Sequence, residues 1–255
     1  MTAVTLKNLE FSYEPGSPMI SRMNIEIQSG TVTAILGANG AGKTTLLSLM
    51  LGRYPADRGE IFFWGKNAST IGKHRIKQLI GMVSQNETLP FDLSVAEYVL
   101  LGRAPHLKTL ALPGTYDRQA SHRALETVGM GHMADIIMTH LSSGERQLIH
   151  VARSLAQAPA LLLLDEPTSH LDLVNSRRIL YLVRSLARKG QTLVFTTHDP
   201  NAAAAVADQV ILLKNGTPLA TGSPDQTLTT ALLTKTYGDK IEVITTPKGP
   251  LVLTL

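Results

Sequence analysis

Cysteine is absent from all 255 residues. Disulfides and thiolate-held metal centres are therefore excluded, and the absence agrees with a reducing compartment. Aromatic residues are few (5%, with a single tryptophan), and charged residues reach only 17% against 44% hydrophobic. Such a chain is no disordered polyelectrolyte; its balance is that of a globular protein. The net charge of +4 is mild and its lysines and arginines are scattered, so it selects neither phosphate, acidic headgroup nor nucleic acid as a partner. Long apolar runs are missing too. A membrane-spanning helix needs about 18 such residues, whereas residues 160–164 are too few and residues 202–213 are interrupted by Asp208. The start, Met1-Thr2-Ala3-Val4-Thr5-Leu6-Lys7, lacks the charged-then-apolar layout of a secretory leader. The expectation is a soluble chain that borrows any membrane role from a partner. With no repeat, low-complexity tract or linker, it reads as one domain with subdomains.

What is present alternates between strand and helix. Residues 4–13 are extended, residues 24–28 alternate at period two, and residues 31–36 resume after a turn at Ser29-Gly30. Another strand is predicted over residues 60–64, after Asp57-Arg58-Gly59. Three apolar runs end abruptly in polar residues: 79–84 at Gln85, 161–164 at Asp165-Glu166, and 192–197 at His198. Runs without alternation are strands buried on both faces, as in a parallel sheet flanked by helices. Ligands of such sheets bind where the strands end, which is where these polar residues fall. Between Pro90 and Pro159 the pattern turns helical. Ser94 and Glu97 have capping-box spacing, and Leu148, Ala152, Leu155 and Ala156 form an apolar stripe on a helix predicted over residues 145–158. Lys214-Asn215-Gly216 and Pro247-Lys248-Gly249 read as hairpin turns.

Gly37-Ala38-Asn39-Gly40-Ala41-Gly42-Lys43-Thr44 is a complete G-x-x-x-x-G-K-[ST] loop between a strand and a helix. Its glycines let backbone N–H groups wrap phosphates at the positive end of a helix. Lys43 supplies a mobile charge for the β/γ-phosphates of a nucleotide, with Asn39 and Thr45 in the same loop-and-helix start, and the Thr44 hydroxyl can ligate Mg²⁺. Magnesium also needs a carboxylate, and Asp165 ends a buried strand. Glu166 beside it can accept a proton from water attacking the γ-phosphate. His198 ends another strand and can reach the same edge, although a lone histidine is as readily structural.

Leu141-Ser142-Ser143-Gly144-Glu145 resembles the signature motif of ABC-type ATPases. It stands between the phosphate loop and Asp165-Glu166, the order of that family. The resemblance extends to Tyr13, Gln85, Ser169-His170-Leu171-Asp172 and His198, and so covers nearly the whole chain. It implies an α/β P-loop cassette: a mostly parallel core sheet with flanking helices, an antiparallel β subdomain and an inserted helical subdomain. Residues 1–255 would form one such ATPase domain, with the helical subdomain at about 88–157 and a C-terminal tail at about 223–255. Tyr13 would stack on adenine. Gln85 would link Mg²⁺ and the attacking water to a transmembrane partner, and His198 would contact the γ-phosphate. Ser142, Ser143, Gly144 and Glu145 would act on ATP held by a second, head-to-tail copy, and Asp172 would communicate between the two sites. The motif departs from Leu-Ser-Gly-Gly-Gln at Ser143 and Glu145, and Glu145 brings negative charge near the phosphate.

Residues 98–106, Tyr98-Val99-Leu100-Leu101-Gly102-Arg103-Ala104-Pro105-His106, are similar to a stretch in importers of iron chelates, haem and cobalamin and in their molybdate or tungstate relatives. The tail, Leu232 to Gly238 and beyond, is similar to theirs as well. This implies hydrolysis of ATP to power a separate integral membrane permease docked on the helical region after Gln85. An extracytoplasmic substrate-binding protein would complete the complex, with the chain on the cytoplasmic face of the membrane and no nucleic acid bound. The rival reading is a soluble ABC ATPase in nucleic-acid or cluster-assembly processes. Against it stand the lack of zinc cysteines, of a long coiled-coil insertion and of a second cassette. A scaffold without hydrolysis is disfavoured by intact Lys43, Asp165 and Glu166.

Overall fold

The computed structural model describes residues 1–85, 92–247 and 249–254. Strand β1 (Thr2–Glu14) pairs antiparallel with β2 (Ser17–Gln28), and β3 (Val32–Leu36) feeds the glycine-rich loop and α1 (Lys43–Met50). The chain continues through β4 (Arg58–Phe63), β5 (Lys66–Asn67), α2 (Lys73–Leu79) and β6 (Ile80–Val83). A helical stretch follows with α3 (Val95–Leu100), α4 (Thr115–Thr127) and α5 (Ser143–Ala156). Then come β7 (Leu161–Leu164), α6 (Leu173–Arg188), β8 (Thr192–Thr197), α7 (Pro200–Val206), β9 (Gln209–Lys214) and β10 (Thr217–Gly222). The C-terminal segment holds α8 (Pro224–Thr227), α9 (Thr230–Tyr237), β11 (Ile241–Thr246) and β12 (Gly249–Thr254).

The central sheet has the order β10-β9-β3-β8-β7-β6, parallel throughout except for β10. Its strands carry the apolar runs because both faces are covered. Alternate residues enter different cores. Leu162, Leu164, Leu193 and Phe195 meet residues of α5 and α6 such as Ile149 and Ile179 on one side. Leu161, Leu163 and Val194 meet Leu46 and Leu47 of α1 and strand residues such as Leu6 and Ile27 on the other. All four leucines of β7 are fully buried, each stabilising the fold by about 1.5–3 kcal/mol of transfer free energy. One charge placed in this buried strand would disrupt its pairing with both β8 and β6.

Several local expectations shift. The strand predicted over residues 60–64 runs from Arg58 to Phe63, since Trp64 turns left-handed at φ 46°. The alternating residues 24–28 and the apolar residues 32–36 lie on either side of one turn but in different sheets. β2 joins the antiparallel sheet β2-β1-β4-β5, and β3 joins the parallel one. The run predicted from residue 79 begins one residue later, since Leu79 ends α2. The helix predicted over residues 145–158 runs from Ser143 to Ala156. It starts early because Ser142 and Glu145 form a capping box, and it stops early because Ala158 turns left-handed (φ 52°) ahead of Pro159. The Ser94–Glu97 capping box forms as expected. So does the hairpin at Asn215-Gly216, whose positive φ angles of 47° and 72° suit a type I′ turn. β11 and β12 pair through Thr246 and Gly249. Lys248 of that second turn, Pro90, the start of the helical stretch at residue 88 and the final Leu255 lie outside the described residues.

Candidate active site

The sheet order explains why distant residues meet. β3, β8, β7 and β6 are successive parallel neighbours, spaced about 4.8 Å apart. Their carboxyl ends therefore deliver the Lys43 loop, His198, Asp165-Glu166 and Gln85 to one edge. A cleft of about 530 Å³ opens there, lined by Asn39, Gln85, Glu166, Ser169 and His198 among others.

Glu166 is the hub. Its Oε1 lies 3.3 Å from Lys43 Nζ. Its Oε2 lies 3.2 Å from His198 Nδ1 and accepts from Gln85 Nε2 at 3.4 Å. Its backbone is left-handed (φ 47°), a conformation that costs a non-glycine residue free energy and gathers at functional sites. The strained turn is held from both ends: Glu166 N–H donates to Thr196 Oγ1 at 2.8 Å, and Ser169 Oγ donates to the Glu166 oxygen at 2.8 Å. Thr196 in turn donates to Asp165 Oδ1 at 2.6 Å. Thr196 thus orients both carboxylate-bearing residues. Sequence reasoning missed it, although its place two residues before His198, on the strand beside β7, was the available signal.

Lys43 is 6% exposed and donates to the Gly37 and Ala38 oxygens at 2.8 and 3.2 Å. Gly42, the residue before α1, has φ 98°, and a Cβ there would lie 2.9 Å from Ile20 Cδ1. Only glycine fits both restrictions. Gly42 provides no side-chain cap, so the first N–H groups of α1 stay available to an anion. Thr44 is exposed, whereas Thr45 is buried with its Oγ1 3.1 Å from the Tyr13 hydroxyl. Tyr13 is 52% exposed and stands edge-on to Phe11 and Tyr54, at 4.9 and 5.5 Å between ring centroids. The Phe11-x-Tyr13 spacing on one strand face was the signal for that aromatic group.

The residues present fit a magnesium ion bound together with phosphates. Asp165 is 2% exposed and Thr196 engages only its Oδ1; Thr44 and Gln85 are exposed at the same edge. Among the described residues no group of three His, Cys, Asp or Glu could hold an ion unaided. That donor set suits a metal that keeps phosphate oxygens and waters in its shell.

Residues 142–145 do not join this cluster within one chain: among the described residues, no hydrogen bond links them to the Lys43 loop. Instead they close on themselves. Ser142 Oγ and Ser142 N–H donate to Glu145 Oε2 at 2.6 and 2.9 Å, and Glu145 N–H donates to Ser142 Oγ at 3.4 Å. These bonds, the hydroxyl's first, hold the Glu145 carboxyl below its usual range. The Ser-x-x-Glu spacing foretold this box, but the sequence reading treated Glu145 only as a nearby charge. Asp172 caps α6 by accepting from Asn175 N–H at 2.8 Å and Asn175 Nδ2 at 2.9 Å. Asn175 also covers Gly144 so closely that a Cβ on Gly144 would fall 2.3 Å from its Cγ. Asn175, unread in the sequence, ties the two segments together.

A sequence model described as ABC transporter matches residues 20–169. The chain belongs to the ABC transporter family. The molybdate import ATP-binding protein MolC of Haemophilus influenzae is 40% identical, over 83% of this chain and 79% of its own length. The hemin import ATP-binding protein HmuV of Gloeobacter violaceus is 37% identical over 94% and 90%. Among solved structures, a chain described as of the metal-chelate type of ABC transporter, in an inward-facing conformation, superposes with a TM-score of 0.87. It is 35% identical and is covered over 97% of its length by 100% of this chain. The P-loop ABC cassette fold, the family and the ATPase activity expected from the motifs all hold. The chain is an ATP-binding subunit of an ABC importer, an ATPase coupled to transport, and subunits of this kind work as dimers with membrane permeases. Among the described residues no helix is long and apolar enough to cross a membrane.

Proposed function

We propose that this ABC subunit hydrolyses ATP at two sites, each shared head-to-tail with a second copy, and so drives import of a metal chelate or an oxyanion such as molybdate. The convergence of Lys43, His198 and Gln85 on the Glu166 carboxylate carries the catalytic reading. In it, Tyr13 stacks on adenine. The N–H groups of the loop from Gly37 through Gly40 and Gly42 to Thr45, with Asn39 beside them, wrap the phosphates. Lys43 exchanges Glu166 and its carbonyl partners for β/γ-phosphate oxygens. Thr44, Asp165 and Gln85 would hold Mg²⁺, which supplies positive charge to the phosphate oxygens. Glu166, released from Lys43, accepts a proton from the water that attacks the γ-phosphorus; the bond to the β-bridging oxygen breaks, giving ADP and phosphate. His198 contacts the departing γ-phosphoryl group. Ser142 and Gly144 of the second copy, flanked by Ser143 and Glu145, approach the same phosphate, and Asp172 lies between the sites.

The cargo reading rests on likeness to the molybdate and hemin import proteins and to the metal-chelate type structure. With it come a permease docked on the helical stretch, an extracytoplasmic binding protein and a place on the cytoplasmic face of the membrane. Glu166→Gln keeps the shape and removes the proton acceptor. The expected result is unchanged ATP binding with turnover down by about 100-fold or more; hydrolysis at full rate would remove the catalytic assignment. The cargo class is tested by the membrane protein that copurifies. A metal-chelate or oxyanion permease is expected, and stimulation by an exporter-type subunit, or association with nucleic acid instead, would overturn it.

A further inference from the structure

The C-terminal segment takes no part in the chemistry above, yet it reaches the loop that carries His198. Tyr237, the last residue of α9, donates its hydroxyl to the His198 main-chain oxygen at 3.1 Å. Three residues beyond His198, Asn201 is bound to Val252 of β12 on two sides. Its Nδ2 donates to the Val252 oxygen at 2.9 Å, and its Oδ1 accepts from Val252 N–H at 2.8 Å. The helix behind Tyr237 is well anchored. Leu233 is fully buried, Lys214 Nζ donates to the Lys235 oxygen, and Thr230 Oγ1 accepts from Val243 N–H. Gly238, left-handed at φ 79°, ends the helix immediately after Tyr237.

His198 needs such an anchor. The ladder between β3 and β8 ends at Leu36 and Thr197, so no strand neighbour fixes the His198 peptide. Its imidazole is exposed and lies 3.2 Å from Glu166 Oε2. The N–H of the peptide after His198, on Asp199, donates to Thr197 Oγ1 at 3.0 Å within the same loop. The Tyr237 hydroxyl ties the other end of that peptide, its oxygen, to a separate element; rotation of the peptide would carry the ring away from the γ-phosphate position. Burial first, then the negative charges of Asp199 and Glu166, push the Tyr237 phenol above the usual tyrosine range. The hydroxyl therefore remains a donor at any working pH.

We propose that Tyr237 is a positioning residue for His198: the C-terminal segment clamps the histidine loop so that the imidazole meets the γ-phosphate beside Glu166. The inference rests on His198 being a phosphate contact, as read above. It is tested by ATP hydrolysis of the full chain carrying Tyr237→Phe, His198→Ala or both, with single-turnover measurements for slow variants. Tyr237→Phe removes one hydrogen bond and is expected to lower kcat about five-fold, with KM for ATP changed by less than about two-fold. In the His198→Ala background the same substitution should change the residual rate by less than about two-fold, because the group it positions is gone. Asn201→Ala loosens the loop by a separate route and should show the same dependence on His198. If His198→Ala is impaired but Tyr237→Phe still lowers the rate about five-fold in that background, or if Tyr237→Phe alone has no effect, the clamp is refuted and the phosphate reading stands. If His198→Ala hydrolyses ATP at full rate, the reading of His198 fails and the clamp fails with it.

Discussion

Two helix starts in this ABC subunit are read as facing the same phosphate, one in each copy, and they are built in opposite ways. At α1 the preceding residue is Gly42, which offers no side-chain cap. At α5 the preceding residue is Ser142, and Ser142 with Glu145 completes a capping box within the chain. The first start keeps its N–H groups for a ligand at the cost of local stability; the second is stable alone and must trade internal bonds for the ligand. A capping box is worth about 0.5–2 kcal/mol, comparable with one charge-assisted hydrogen bond to phosphate. The trade is thus near balance, as the shared-site reading requires of a contact that forms and releases in each cycle.

Removing the ready-made side should have the largest effect. Lys43→Ala is expected to lower kcat/KM for ATP by about 100-fold or more, whereas Ser142→Ala, which removes one donor that is self-capped beforehand, should cost about ten-fold. Mixing the two variants sharpens the contrast. A head-to-tail mixed dimer regains one site with intact Lys43 and Ser142, so the mixture should hydrolyse ATP faster than either variant alone. Failure to complement in a mixture shown to exchange subunits would break the shared-site reading.

The next effects concern support. Gly144→Ala drives a Cβ into Asn175 and should destabilise the fold by about 1–3 kcal/mol in urea unfolding. Asn175→Ala combined with it should recover much of that loss. Thr196→Val keeps the shape but strips partners from Asp165 and from the Glu166 N–H; about 1–3 kcal/mol is expected, with turnover falling alongside. Glu145→Gln should be the mildest. A glutamine can still cap the helix, so turnover should rise no more than about two-fold as the negative charge disappears. The sign with pH is fixed by the lowered Glu145 carboxyl. Its stabilisation is present above the unfolded carboxyl range and is lost as acid protonates the folded group. Glu145→Gln should lack that acid-side loss in a comparison of unfolding at pH 7 and pH 3.

The same contrast marks what was legible in the sequence. The phosphate loop could be read because backbone demands fix residue types there, with glycine where φ is positive at positions 40 and 42. Asp165-Glu166 and His198 could be placed where buried strands end, while the role of His198 leaned on the family resemblance. The β7 run, residues 161–164, matched to the residue because breakers bound it sharply, Pro159 before and Asp165-Glu166 after, whereas the 79–84 run has the apolar end of a helix in front of it. Residues that act sideways were not legible. Thr196 looks like one more β-branched strand residue until β8 lies beside β7. Asn175 is one polar residue in a helix until it covers Gly144. Glu145 was seen only as a charge although its spacing from Ser142 is the one that marked the Ser94–Glu97 box. The family motif drew the reading toward phosphate and away from the cap, whose Ser142 Oγ to Glu145 Oε2 bond is 2.6 Å. Residues 24–28 and 32–36 parted into two sheets for a similar reason, since a local turn does not say with which distant strand each will pair.

The placement of β8 between β3 and β7 carries a consequence for the birth of the protein. The strand that receives the phosphate loop is made early, at residues 32–36, yet its neighbour at residues 192–197 leaves the ribosome only after three-quarters of the chain has been translated. Until then β3 and the carboxylate strand have nothing to bridge them, and pairing across so many residues is slow. An unfinished polypeptide that ends before β8 therefore carries the glycine-rich loop and the Asp165-Glu166 strand without the strand that sets them side by side.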